Sequence, residues 1–225
     1  MAISKHGIRS VALAISAISL VSSASAFACG GDWYPEVQID PRIHGVAQAE
    51  KALTSGDYVA AAGFVLRMMP HIKTLDPKRD EFVARAERVL AVSIARSAGK
   101  LGLEREVPSK FVGHFQGRTR AEQDKSLNWS ISALHRESTI KKDDPAVLTD
   151  LAEALSKTES GRDEARTLLE SLAGRDLVAT PQGYKALAEL RRERGDAAGQ
   201  RVALKRCESM ASGSKLCESS APRAS

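Results

Sequence analysis

Residues 144–172 have the sequence DPAVLTDLAEALSKTESGRDEARTLLESL, and this stretch decides the fold class. Its apolar residues form two stripes, which are Leu148, Leu151, Ala152 and Leu155, followed by Ala165, Leu168, Leu169 and Leu172. Intervals of three and four residues are typical of the buried face of an amphipathic α-helix. Gly161 separates the stripes, so the stretch predicts two helices joined by a sharp turn.

The stretch opens with one of four similar helix-start signals. A capping side chain directly precedes proline at Asp40-Pro41, Asp76-Pro77, Asp144-Pro145 and Thr180-Pro181. The side-chain oxygen accepts a hydrogen bond from a free backbone N–H of the first turn, and proline has no N–H to leave unsatisfied there. The pairs are 36, 68 and 36 residues apart. A fixed spacing of this size predicts a helical repeat.

A glycine recurs at a similar place inside these units. Gly56, Gly161 and Gly195 follow the nearest helix-start signal by 16, 17 and 15 residues. Between the clear units, the apolar spacing predicts a helix over 81–97 and another over 119–138, on either side of a loop-rich segment. The low aromatic content of 4% and the abundance of Ala, Leu, Arg, Glu and Lys favour an all-α chain.

The residues around the first glycine carry a resemblance to a known family. They are Ala49-Glu50-Lys51-Ala52-Leu53, Gly56-Asp57-Tyr58, Ala61 and Val65, and the later counterparts are Leu151-Ala152, Ala165, Leu169, Leu187-Ala188 and Gly195-Asp196. A unit of this length, with two helices and small residues where they cross, resembles the tetratricopeptide repeat (TPR). The resemblance covers residues 40–75 and 144 to about 212.

The resemblance implies that residues 40–216 form antiparallel helix pairs stacked as a short right-handed solenoid. The clear units are 40–75, 144–179 and 180–214, while 76–143 is either two degenerate repeats or a helical insertion. Proteins of this family hold peptides or partner proteins on their concave face. We therefore expect a non-catalytic protein–protein interaction scaffold.

The N-terminal sequence predicts the location of the protein in the cell. Lys5, His6 and Arg9 precede the apolar run 11–21, and small residues then lead to cleavage sites after Ala26 or Ala28. These are the parts of a secretory signal peptide, expected over 1–28, and they predict export to the periplasm or cell envelope. Residues 29–39, with Trp33 and Tyr34, are expected to form an extended segment that caps the first helix.

Three cysteines follow the signal. Cys207 and Cys217 are expected to form a disulfide in an oxidising compartment. Cys29 stands directly after the second cleavage site and is either acylated, as in a lipoprotein anchored to the outer membrane, or an ordinary cysteine. The tail 217–225 is rich in Ser and Ala and is expected to be disordered.

Charge argues against a nucleic-acid partner. The net charge is +5, of which Lys5 and Arg9 in the signal contribute two, so the remainder carries 31 basic and 28 acidic residues. The two signs are interleaved, whereas nucleic-acid binders gather basic residues on one face or tail. We expect contact with the membrane only through a lipid on Cys29.

No motif for catalysis, a cofactor or a metal is recognisable in the sequence. The candidate partner-binding residues are Arg191, Arg192 and Arg194, at the end of a predicted helix, and His114 and Arg118 in the least repeat-like segment. The alternative functions are an envelope enzyme or small-ligand binder with its site in 99–143, and a lipid-anchored structural component of the envelope.

Overall fold

The computed structural model describes residues 40–103, 115–211 and 215–218. These residues form eight α-helices and no strand. The helices are α1 (Pro41–Thr54), α2 (Tyr58–Met68), α3 (Glu81–Arg96), α4 (Arg120–Ile140), α5 (Pro145–Leu155), α6 (Arg162–Gly174), α7 (Pro181–Glu193) and α8 (Ala197–Ala211). Short 3-10 turns lie at Ile72–Thr74 and Lys215–Cys217. The prediction of an all-α chain is confirmed for the described residues.

Three of the four proline-marked helix starts are confirmed. The side chains of Asp40, Asp144 and Thr180 cap α1, α5 and α7, and each is followed by proline. Asp144 accepts hydrogen bonds from the backbone N–H groups of two first-turn residues, at 2.8 and 3.3 Å. These local signals fix where the helices begin because they satisfy backbone groups that have no partner within the helix.

The fourth start, at Asp76-Pro77, is wrong. Asp76 lies before a turn and accepts a hydrogen bond from the Lys78 N–H, while α3 begins five residues after Asp76, at Glu81. Asp80 caps α3 by accepting from two backbone N–H groups. Asp80 also pairs with Arg42 of α1. The ion pair with Arg42 and the two capping hydrogen bonds of Asp80 favour a helix that starts at Glu81.

The three marked glycines act in two different ways. Gly56 and Gly195 have φ of +85° and +78°, a backbone conformation that side-chain-bearing residues rarely adopt. Gly161 has an ordinary φ of −90°. Its role is steric, since a Cβ there would lie 2.6 Å from the carbonyl oxygen of Leu155.

The helices pack in chain order. Each of the eight contacts the next along the chain, and α1, α3, α5 and α7 also contact one another in succession. The described residues therefore form four consecutive pairs whose first helices lie side by side.

Two clusters of buried side chains form the core. One includes Val46, Leu66 and Leu90, and the other includes Leu151 and Leu187. Helices α3 and α4 both contribute to the two clusters, α3 through Leu90 and Ala91 and α4 through Leu127 and Leu134, so this pair joins the first pair to the later ones.

The predicted helices over 81–97 and 119–138 are confirmed as α3 and α4. These two helices pack on each other, and a capping box between Thr119 and Glu122 starts α4. Residues 104–114, which connect them in part, lie outside the described residues, as do the predicted signal peptide 1–28 and cap segment 29–39. The number of repeats in 76–143 therefore stays a prediction.

The C-terminal part contains the expected disulfide. Cys207 of α8 is bonded to Cys217, and both residues are buried. Because Cys217 is held in place, the expected disordered tail does not begin at that residue. Residues 219–225 lie outside the described residues.

Candidate functional site

Three adjoining cavities form a groove along α1, α3, α5 and α7, which we call the first-helix groove. Their volumes are about 430, 460 and 200 Å³. Arg96 of α3 lines all three cavities, and Thr54 and Thr180 line the two larger ones. Arg96 therefore marks the centre of the groove.

Ion pairs join the first two helices that line the groove. Arg85 of α3 donates two hydrogen bonds to the carboxylate of Glu50 in α1, at 2.9 and 2.6 Å. Near the start of both helices, Arg42 pairs with Asp40 and Asp80. The carboxylates of Asp40 and Asp80 have lowered pKa values because of their hydrogen bonds to Arg42.

Helices α3 and α5 are also joined by ion pairs, and these are more buried than those between α1 and α3. Arg88 of α3 donates to Asp150 of α5 at 2.8 Å. Arg96 donates two hydrogen bonds to Glu153 of α5, at 2.9 and 3.3 Å. Bidentate arginine–carboxylate geometry fixes orientation as well as supplying energy. These contacts set α3 and α5 in one register.

Glu153 extends the series to α7. One of its oxygens accepts a hydrogen bond from the hydroxyl of Thr180, which also caps α7 by accepting from the Gly183 N–H. One buried carboxylate thus connects α3, α5 and the start of α7.

Burial shifts the protonation equilibria of this network. Burial and the neighbouring Glu153 carboxylate raise the pKa of Asp150 to about 6, although Arg88 and Arg96 oppose the shift. Burial alone would lower the pKa of Arg96, but the carboxylates of Glu153 and Asp150 outweigh it and raise the pKa. Arg96 therefore stays charged, while the pKa of Asp150 lies well above the ordinary value of a carboxyl group.

A second buried carboxylate lies between α3 and α4. Burial raises the pKa of Glu87, and the nearby Arg136 opposes this shift. The Arg136 guanidinium donates to the Glu87 carboxylate at 2.5 Å. This pair lies outside the cavities that form the groove.

The charged residues at the bottom of the groove, which we call the groove floor, are thus paired with one another: Arg85 with Glu50, Arg88 with Asp150, and Arg96 with Glu153. No group of three His, Cys, Asp or Glu side chains in the described ranges is placed to hold a metal ion. The network holds helices in register and gives the groove a floor of fixed, alternating charges.

The end of the groove near α8 differs in character. The cavity of about 460 Å³ is lined there by Met210, Ala211 and Leu216, together with Tyr58 and Pro181. The adjoining cavity of about 200 Å³ adds Lys157 and Lys185. This end therefore combines apolar side chains with cationic ones.

The predicted arginines near the end of α7 do not line the groove. Arg191 donates to the Gly199 carbonyl oxygen at 3.1 Å, and Arg194 donates to Asp163 of α6 at 3.3 Å. Arg192 is exposed and lines a small depression beside Lys185. Arg191 thus joins α7 to the first turn of α8, and Arg194 joins the end of α7 to the first turn of α6.

The other predicted site residues are dispersed. Arg118 lies just before α4, where its backbone N–H donates to Glu122. His114 and Cys29 lie outside the described residues. From the segment 99–143, which the alternative function uses, Glu137 and Lys141 line the groove.

The residues that build the groove floor were missed by the sequence analysis. Asp150 and Glu153 stand between the apolar residues of the α5 stripe, where a surface helix ordinarily has polar side chains, so nothing in the sequence indicates that both are buried. Their partners Arg88 and Arg96 are 62 and 57 residues away, so no local pattern links them.

No helix of the described part of the chain is long and apolar enough to cross a membrane. Comparison of the chain with family models, with curated proteins and with solved structures gives no match.

Proposed function

We propose that the protein is a non-catalytic interaction scaffold of the bacterial cell envelope that binds a peptide or protein partner in the first-helix groove. The observation that carries the proposal is the groove itself, which runs across the first helices of four consecutive pairs. A surface built from several successive helices suits an extended ligand better than a small compact one.

The proposal includes a TPR-like solenoid. Its support is the packing order, since each pair contacts the next and the first helices α1, α3, α5 and α7 follow one another in contact. Short helices that cannot bury an apolar face alone gain a continuous core by stacking in this way. The glycines at 56 and 195 further support it, because both allow tight turns within a pair.

The chemistry of the groove favours a polypeptide ligand. Cations and anions alternate along it, for example Arg85 with Glu50 and Arg96 with Glu153. A nucleic acid requires a surplus of cations along its phosphates. A peptide, with donors and acceptors along its backbone, matches a surface that carries both signs.

Location in the envelope rests on the sequence of residues 1–28. Mass spectrometry of the mature protein, purified from the native cell, tests it directly. We expect a new N-terminus at Phe27 or Cys29, and a mass increase on Cys29 if that residue is acylated. A mature protein that retains Met1 would overturn the export part of the proposal.

Site-specific photo-crosslinking tests the groove. A photoreactive amino acid is placed at Thr54 or Gln182, which line the groove, and at Arg201, an exposed residue of α8, as a matched control. We expect the same partner adduct from both groove positions and none from Arg201. Equal labelling at Arg201, or no adduct at Thr54 and Gln182, would contradict the proposal.

The crosslinked partner is then identified and purified for a binding measurement. Arg85→Glu, which reverses one charge on the groove, should weaken its binding, while Arg201→Glu should leave it unchanged. Equal effects of the two substitutions would show that the partner does not sit in the groove.

A further inference from the structure

The end of the first-helix groove near α8 carries exposed apolar surface. Met210 is 41% exposed although it is a large apolar side chain, and it lines the same cavity as Leu216, Tyr58 and Pro181. Exposed apolar side chains that converge on a concavity are typical of a binding site rather than of scattered surface residues.

The disulfide holds the short turn that places Leu216 in this cavity. Leu216 lies in the 3-10 turn Lys215–Cys217, and Cys217 is bonded to Cys207 of α8. The turn contacts both α7 and α8, and Leu216 packs against the larger core cluster. The disulfide therefore fixes the position of one wall of the groove.

Cationic side chains stand beside this apolar wall. Lys157 and Lys185 line the adjoining cavity with Leu216, and neither ammonium group has an ion pair or hydrogen bond to another described residue. The third cation there, Arg96, is held by Glu153. Three cations and two carboxylates line this cavity, so its local charge favours an anionic group.

We propose that this end of the groove is a specificity subsite for a partner peptide in which a bulky apolar residue stands next to an acidic one. The apolar side chain packs between Leu216, Met210 and Tyr58, and the carboxylate pairs with Lys157 or Lys185. The Cys207–Cys217 disulfide is the positioning element of the subsite. The inference rests on the proposed function, since it names the chemistry of the ligand in the same groove.

The test uses the purified oxidised full chain and a random 12-residue peptide library displayed on phage. Enriched sequences are synthesised with a fluorescent label, and their Kd is measured by anisotropy. We expect the enriched peptides to share a bulky apolar residue beside Asp or Glu. Leu216→Ala should raise Kd by roughly tenfold, as expected when a buried apolar contact is lost.

Matched variants separate the subsite from general effects. Val202→Ala truncates another aliphatic side chain, one that is 61% exposed on α8 and lies outside the cavities of the groove, and should change Kd less than twofold. Lys157→Glu with Lys185→Glu should raise Kd by tenfold or more without lowering the melting temperature, because both residues lie at the surface of the groove. Reduction of the disulfide should weaken binding as Leu216→Ala does while helical circular dichroism is retained.

The outcomes distinguish the inference from the proposed function. Enriched peptides whose Kd is unchanged by Leu216→Ala and by the lysine reversals would overturn the subsite while leaving the groove as a peptide site. A library that yields no enriched peptide would overturn both. A dimer that Leu216→Ala converts to a monomer in sedimentation would also overturn the subsite, since its occupant would be a second copy of the chain.

Discussion

The guanidinium of Arg96 in α3 and the carboxylate of Glu153 in α5 form a bidentate ion pair, with N–O distances of 2.9 and 3.3 Å. Their side chains are only 10% and 3% exposed. A buried pair of this kind gives little net stability compared with an apolar pair, but the loss of one partner leaves the other charge uncompensated. The pair should therefore behave asymmetrically in mutagenesis.

We predict that Arg96→Ala lowers the free energy of unfolding by about 3–5 kcal/mol, because Glu153 is left buried without its partner. The double variant Arg96→Met with Glu153→Leu should be more stable than Arg96→Ala. Urea denaturation followed by circular dichroism measures both. The exposed pair Arg120–Asp124 supplies the control, since Arg120→Ala should change stability by less than about 0.5 kcal/mol. An Arg96→Ala variant as stable as Arg120→Ala would contradict this account.

The raised pKa of Asp150 predicts that the free energy of unfolding depends on pH. The pKa of Asp150 in the fold is about 6, against an ordinary value of 3.8, so the folded protein holds the proton more tightly than the unfolded chain does. The resulting contribution to stability is complete below about pH 4 and is lost as the pH rises to about 6. Relative to Asp150→Asn, the wild type should lose up to about 3 kcal/mol across this range.

The measurement is the free energy of unfolding of both proteins at several pH values between 4 and 7. Asp163→Asn is the control, because Arg166 lowers the pKa of Asp163 and its contribution is lost only below about pH 4. The difference between wild type and Asp163→Asn should be flat above pH 4.5. If the difference for Asp150→Asn is equally flat, burial does not govern its titration.

The two Asp-Pro pairs at 76 and 144 give a sharp test of helix capping. Asp144 accepts from the backbone N–H groups of Ala146 and Val147 at the start of α5, whereas Asp76 precedes a turn that begins no α-helix. We predict that Asp144→Ala lowers the free energy of unfolding by about 1 kcal/mol. Asp76→Ala should change it by less than about 0.5 kcal/mol.

Chemical denaturation of the two variants and the wild type measures the loss in free energy of unfolding for each substitution. Equal losses would mean that the dipeptide itself, rather than its place at a helix start, carries the stability. A larger loss for Asp76→Ala would contradict the assignment of Asp80 as the cap of α3.

The capping result shows what local sequence can predict here. Asp40, Asp144 and Thr180 were assigned correctly because each cap acts within three residues of itself. Asp76 has the same local pattern, but Asp80 is the residue that caps α3, and its carboxylate also contacts Arg42 on another helix. A signal confined to one turn cannot report that contact.

The candidate site was less predictable than the helices for the same reason. Arg88 and Asp150 meet only after α3 and α5 pack together, across 62 residues of sequence. Arg191 and Arg194 were predicted to bind a partner from their charge alone, and their contacts with Gly199 and Asp163 also depend on how the helices pack. Interleaved charges are frequent on helical surfaces, and the sequence pattern does not distinguish a buried network from a solvated one.

Gly161 yields a last prediction in which two physical rules disagree. It stands at the N-cap of α6, where serine usually stabilises a helix more than glycine does. A Cβ at this position would, however, lie 2.6 Å from the Leu155 carbonyl oxygen and 2.8 Å from the Thr158 hydroxyl. Because the nearer atom belongs to the backbone, the clash cannot be relieved by rotating a side chain.

We therefore predict that both Gly161→Ala and Gly161→Ser lower the free energy of unfolding by about 1–3 kcal/mol. Gly174, the last residue of α6, is the matched control because a Cβ there meets no atom within 4 Å. Gly174→Ala should be neutral or stabilising by up to about 1 kcal/mol. Thermal and urea unfolding of the three variants separate the rules, since a gain in stability for Gly161→Ser would show that capping outweighs the steric contact between α5 and α6.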